Sequence, residues 1–319
     1  MTQEQLQKAA KVALCDCLNL SRLEKLLVVC DEPCYEVGKA LWTVGNERCQ
    51  EAVFVQIRPR KENGNEPPDP VGEWFGQFDV AVMPTSKSLS HTRARRKACE
   101  QGARIATLPG VTTDIFVRTM QTDWDRLGVY TRKIAAQLTS AKKIQIKTAA
   151  GTDLTFDTGG RAAKADDGRL SSKGAFGNLP AGEAYMAPLE GTAEGILVVD
   201  GSFPLCGVMT EPLILKIREG TVYEVSGHPC ARELEELFLK YRKPARNVAE
   251  FGVGTHDTAV IGGNVLEDEK VRGTIHIAVG DNASMGGSVN VPLHLDGVVK
   301  EPSVYLDYHL WMDRGRLVQ

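Results

Sequence analysis

Between residues 25 and 108, short apolar runs alternate with stretches of helical periodicity, and that order limits the possible folds more than any other feature of the chain. Lys25-Leu-Leu-Val-Val-Cys30 has no polar alternation, which is the pattern of a strand buried on both faces of a parallel sheet. Residues 36–44 then carry helical spacing, Ala52-Val-Phe-Val-Gln56 a second run and Phe78-Asp-Val-Ala-Val-Met83 a third. Residues 92–101 form another helical stretch, and Ala103-Arg-Ile-Ala-Thr-Leu108 is the fourth run. An amphipathic helix over residues 4–20 precedes the series, and a long helical stretch from Asp114 to Ser140 closes it. This alternation predicts a doubly wound α/β domain, Rossmann-like in architecture, over residues 1–140. No G-x-G-x-x-G follows the first strand, so no dinucleotide cradle is expected there.

From Lys142 the texture changes to alternating strands and Gly-rich turns. Lys143-Ile-Gln-Ile-Lys147 and Leu154-Thr-Phe-Asp157 read as a hairpin, with further strands at residues 195–200, 213–217 and 221–225 and one helix at 231–241. The expectation for residues 141–319 is an α+β metal-binding catalytic domain with a mostly antiparallel sheet. A chain of 319 residues exceeds the usual size of one domain, in keeping with two.

The composition, 42% hydrophobic and 25% charged, is that of an ordinary globular protein. A net charge of -3 and a pI of about 6.1 give no basis for binding nucleic acid or an anionic membrane. With no apolar run of membrane-spanning length, a cytoplasmic location is expected. The eight cysteines sit mostly in apolar contexts and read as buried free thiols; Cys30 and Cys34 have no second pair at zinc-finger spacing.

The residues best suited to chemistry lie between Glu250 and Asp296, where three of the six histidines fall beside glycines or on apolar alternating runs. Side chains at i and i+2 of a strand share a face, so His294 and Asp296 project together while Leu293 and Leu295 face the other way. In Thr274-Ile-His276-Ile-Ala278-Val the isoleucines and Val279 form one apolar face, leaving His276 on the other among small neighbours. Two imidazoles and a carboxylate suit a hydrolytic zinc-like ion or iron in a facial set, and an added glutamate favours a two-metal site. Taken singly, each histidine also reads as a hydrogen-bonded core residue. Glu183, after a tight Pro-x-Gly turn, is either such a ligand or a surface carboxylate. His91, next to Thr92 and Arg93, reads as a helix-start or interface residue.

Several blocks in order resemble the M29 metallo-aminopeptidases, the aminopeptidase T and aminopeptidase S group. They are Ser86-Lys-Ser-Leu-Ser-His91-Thr-Arg-Ala-Arg-Arg96, Gly102 to Gly110, Leu179-Pro-Ala-Gly-Glu183, Glu250-Phe-Gly-Val-Gly254, Gly273-Thr-Ile-His276-Ile-Ala-Val-Gly280 and His294-Leu-Asp296. The resemblance implies a pair of divalent ions (zinc, cobalt or manganese) held by Glu183, Glu250, His276, His294 and Asp296. It also implies a homodimer that closes the cavity, and a peptide or small-molecule substrate. On this reading Glu183 or Glu250 is the general base and His256 an acid or base beside the ions, for removal of amino-terminal residues or cleavage of a related amide.

The chain departs from those peptidases in lacking a tyrosine between His276 and His294, and in a shorter connection between the two. The same fold is used by a ring-opening dioxygenase, 2,5-dihydroxypyridine dioxygenase, with one Fe(II) on two histidines and an aspartate. His276, His294 and Asp296 suit that ion equally well. A third reading, a metal-free binding protein, leaves the retention of all five candidate ligands without a reason.

Overall fold

A computed structural model describes residues 1–318. It is a mixed α/β fold in which most strand pairs are antiparallel. The chain divides into two compact units, residues 1–128 with 166–181, and residues 129–165 with 182–319.

The first unit carries a sheet whose strands run in the order Glu51–Gln56, Lys25–Cys30, Val80–Met83, Arg104–Thr107, Phe176–Asn178, all parallel. Strand periodicity divides the apolar runs between two cores. Leu26, Val28, Val80 and Val82 pack into one cluster, and Leu27, Val29, Ala81 and Met83 into the other. Both faces are therefore dry, which is why these segments show no polar alternation. The fifth strand comes from beyond residue 140. Sequence periodicity passes over Phe176-Gly-Asn178 because three residues are too few to show a period. Its pairing with Arg104–Thr107 makes this unit discontinuous, where the sequence suggests one break after residue 140.

The expected single helix from Asp114 to Ser140 is two, Thr113–Thr119 and Trp124–Ser140. The Asp123 carboxylate accepts the N–H of Arg126 at 3.0 Å, an N-cap contact that restarts the helix. The opening helix Gln3–Lys11 passes into a π-helical segment, Val12–Cys17.

The second unit is built on two large sheets, with a small two-stranded one formed by Ser202–Phe203 and Gly207–Val208. One has eight strands, from Thr221–Gly227 at one edge through Leu213–Arg218, Glu194–Val199, Asp153–Asp157, Lys143–Lys147, Ser303–Leu306 and His309–Asp313 to Arg316–Leu317, paired antiparallel. The other has the order His294–Val299, Ile275–Gly280, Val248–Gly254, Glu183–Met186, Lys164–Asp166. One apolar core joins them. Ile144, Leu154, Phe156, Leu197 and Leu215 from the first sheet cluster with Phe251, Val253, Ile275, Ile277 and Val279 from the second, and the rings of Phe156 and Phe251 lie 5.5 Å apart.

Cys206 and Cys230 form a disulfide, which corrects the reading of all eight cysteines as free thiols; the other six are free. The two are 24 residues apart, and only the folded chain brings them together. No helix among the described residues is long and apolar enough to cross a membrane.

Candidate metal centre

The register of the five-stranded sheet assembles the site. Across antiparallel strands, directly opposed residues point to the same face. Glu250 stands opposite Ala278, which stands opposite Asp296; Gly252 faces His276, Gly280 faces His294 and Gly254 faces Glu183. Glu183, Glu250, His276, His294 and Asp296 therefore share one face of four adjoining strands, with Gly252, Gly254, Ala278 and Gly280 between them. The alternate residues Phe251, Val253, Ile275, Ile277 and Val279 supply the core on the other face.

The polar atoms interlock. Nε2 of His276 lies 3.2 Å from Oε1 of Glu250 and 3.3 Å from Oε2 of Glu183, while Nε2 of His294 lies 3.2 Å from Oε2 of Glu250 and 3.3 Å from Oδ1 of Asp296. Glu250 thus has one imidazole on each oxygen. The donor atoms form two triplets, Glu183, Glu250 and His276, and Glu250, His294 and Asp296, in each of which they lie within 4.8 Å of one another. His276 is fully buried; the side chain of His294 is 32% exposed.

Both rings are held from behind. Nδ1 of His276 is 3.1 Å from the carbonyl oxygen of Glu269, and Nδ1 of His294 is 2.8 Å from that of Asp281. A carbonyl only accepts, so each Nδ1 carries a proton and each neutral ring presents a lone pair at Nε2. Those lone pairs face carboxylate oxygens, an arrangement that requires either a second proton on each ring or a cation among them.

Burial disfavours the charged imidazole of His276, yet its hydrogen bond with Glu250 and the nearby charges of Glu183, Glu250 and Asp296 lift it to about 9. Burial likewise opposes charge on His294, but Asp296 and Glu250 raise it well above the usual histidine value. Glu250, despite its burial, is held down at about 2 by the two imidazoles. The site thus demands positive charge where the imidazoles converge.

A divalent transition ion meets that demand. Ligand bonds of about 2.1 Å at right angles place neighbouring donors about 3 Å apart, close to the spacings found here. The buried Oε2 of Glu183 makes no hydrogen bond, and carbonyl-anchored imidazoles are the usual form of metal-binding histidine. The residues present therefore fit a metal ion.

Two charged residues absent from the sequence reading belong to the cluster. Lys270 is fully buried, its Nζ 3.0 Å from Oε1 of Glu183 and 2.5 Å from Oε1 of Glu269. Burial and the carboxylates of Glu183 and Asp296 push Glu269 up to about 8 against the pull of Lys270. In sequence they sit in Glu267-Asp-Glu-Lys270, which reads as a solvated charge run and gives no sign of burial.

His256 is also fully buried but belongs to neither triplet; its Nδ1 lies 3.3 Å from the N–H of Thr258. In the first unit, cavities of about 310 and 370 Å³ lined by residues such as Cys15 and Arg48, or Glu73 and Lys97, include none of these side chains.

A two-unit α/β chain with imidazoles and carboxylates gathered on one sheet face has the build of a metal-centre protein. Residues 69–319 match the family model NicX, 2,5-dihydroxypyridine 5,6-dioxygenase, and the chain belongs to that family. It is 24% identical over 236 residues to a 2,5-dihydroxypyridine 5,6-dioxygenase of Pseudomonas putida strain KT2440, an alignment covering 69% of this chain and 65% of the length of that relative. The structure of 2,5-dihydroxypyridine dioxygenase from Pseudomonas putida KT2440 superposes with a TM-score of 0.84 at 18% identity, covering 100% of this chain and 98% of the other. Wild-type AmpT from Thermus thermophilus superposes with a TM-score of 0.73, also at 18% identity, covering 99% of each chain.

The family match corrects the hydrolase reading. The assignments as hydrolase, aminopeptidase, metalloprotease and M29 member give way to a dioxygenase family. The blocks behind the aminopeptidase resemblance carry the fold and the donor residues, and AmpT and the dioxygenase share that fold.

Proposed function

We propose that the chain is an iron(II)-dependent dioxygenase that opens a hydroxylated pyridine ring, with the ion held by His276, His294 and Asp296. The observation that carries this reading is the convergence of two carbonyl-anchored imidazoles on carboxylates within the span matched by the dioxygenase family. Two imidazoles and one carboxylate leave positions on iron open for other ligands. When bound, iron(II) supplies the one-electron chemistry that lets dioxygen react with an electron-rich ring.

The chain's own residues prepare the place. The carbonyls of Glu269 and Asp281 lock both rings with Nε2 forward, so little reorganisation is needed on binding. Glu250, ionised between the rings, adds the negative charge that favours a divalent cation. Gly252 makes room for the His276 ring and Gly280 for the Leu293 carbonyl, so the donor strands close up around the imidazoles.

The test is anaerobic reconstitution with iron(II) followed by addition of 2,5-dihydroxypyridine in an oxygen electrode. Oxygen uptake should match loss of the ring's absorbance in equal amounts. An iron-loaded chain that consumes no oxygen with this or any other hydroxypyridine would sink the proposal.

A further inference from the structure

The two donor triplets share Glu250, an arrangement able to hold two ions bridged by one carboxylate. The triplets differ in one respect. In the triplet of Glu183, Glu250 and His276, a lysine ammonium already sits on Glu183: Nζ of Lys270 is 3.0 Å from Oε1, with a side chain fully removed from solvent. Lys270 is gripped a second time by Glu269, whose own backbone carbonyl anchors His276. Its ammonium therefore stands in the position of a structural cation.

We propose that Lys270 replaces a second metal ion. Its ammonium neutralises Glu183, so the chain holds one divalent ion, on His276, His294 and Asp296, and not a bridged pair. This rests on the one-iron reading above and identifies the residue that enforces it. An ion added at Glu183 would lie within a few ångströms of the ammonium in a buried site, where repulsion between cations is weakly screened. Without the ammonium, Oε1 of Glu183 would be buried and uncompensated beside Glu250, leaving two carboxylates free to hold a second ion. Retention of Glu183 and Glu250 therefore does not by itself mean two metals.

Metal content gives the test independently of turnover. Wild-type protein, stripped and titrated with manganese(II) and cobalt(II), then desalted and analysed by mass spectrometry, should hold close to one ion per chain. Lys270→Met, which keeps length and removes charge, should bind a second. Two ions in the wild type, or one in a folded Lys270→Met variant, would overturn the inference. If Lys270→Met does not fold, the double variant Lys270→Met with Glu183→Gln removes both charges and should again bind one ion; loss of all metal in the folded double variant would show that Glu183 belongs to the ion's own shell and overturn the inference. A chain that binds one ion but opens no ring keeps this inference and loses the proposed function, while two ions with ring opening does the reverse.

Discussion

Nε2 of His294 lies 3.3 Å from Oδ1 of Asp296, two residues along the strand His294–Val299. The pair is local in sequence, and the rest of the site is aimed at it. His294→Ala should reduce metal affinity by more than the roughly 10–100-fold typical of changes behind a ligand. With the His294 side chain already 32% exposed, truncation seals no cavity, and metal-free stability should change by no more than about 1–2 kcal/mol. Metal content by mass spectrometry and urea unfolding check the two halves; full metal content in the variant would refute the site.

Gly252 stands directly opposite His276, and a Cβ at this position would collide with the imidazole. Gly252→Ala should push the ring off its carbonyl anchor and lower metal affinity about 10–100-fold without altering any donor. Gly262→Ala, where a Cβ would meet nothing within 4 Å, is the matched control and should bind as the wild type does. Titration calorimetry with manganese(II) distinguishes them; equal affinities would contradict the placement of His276.

Acid should unfold the second unit partly through Glu190. Burial alone would raise this carboxyl, but the N–H of Ser288, Arg161 and Asn282 hold it at about 2, below its ordinary value of 4.5. A depressed folded value means the ionised form stabilises the fold above the unfolded value, and that stabilisation is lost as pH falls from about 4.5 to about 2. At about 1.4 kcal/mol per unit, the ceiling is about 3.5 kcal/mol, and solvent screening at this partly exposed carboxylate makes the real contribution smaller. Glu190→Gln should flatten the pH dependence of urea unfolding in that window; an unchanged slope would exclude Glu190 as its source.

We propose, independently of the reaction, that two copies of the chain pair at micromolar concentration. Sedimentation equilibrium should give twice the 34.8 kDa of the chain. A monomer with undiminished oxygen uptake would count against a partner's role in the site.

The sequence by itself determined whatever depends on neighbours along the chain. Strand periodicity placed His294 with Asp296 and turned His276 away from Ile275 and Ile277; unbroken apolar runs marked the parallel sheet. The same local logic cannot see register. That Glu250 stands between two imidazoles follows from the bulged pairing of Val248–Gly254 with Ile275–Gly280 and from pairing on to His294–Val299, contacts spanning tens of residues. Lys270 shows the limit most clearly. Its charge predicts solvent, and only a fold that brings Glu183 and Glu269 to its ammonium makes complete burial affordable. The choice between hydrolase and dioxygenase lay beyond local pattern for a related reason: one tertiary frame presents the same donor types to either chemistry.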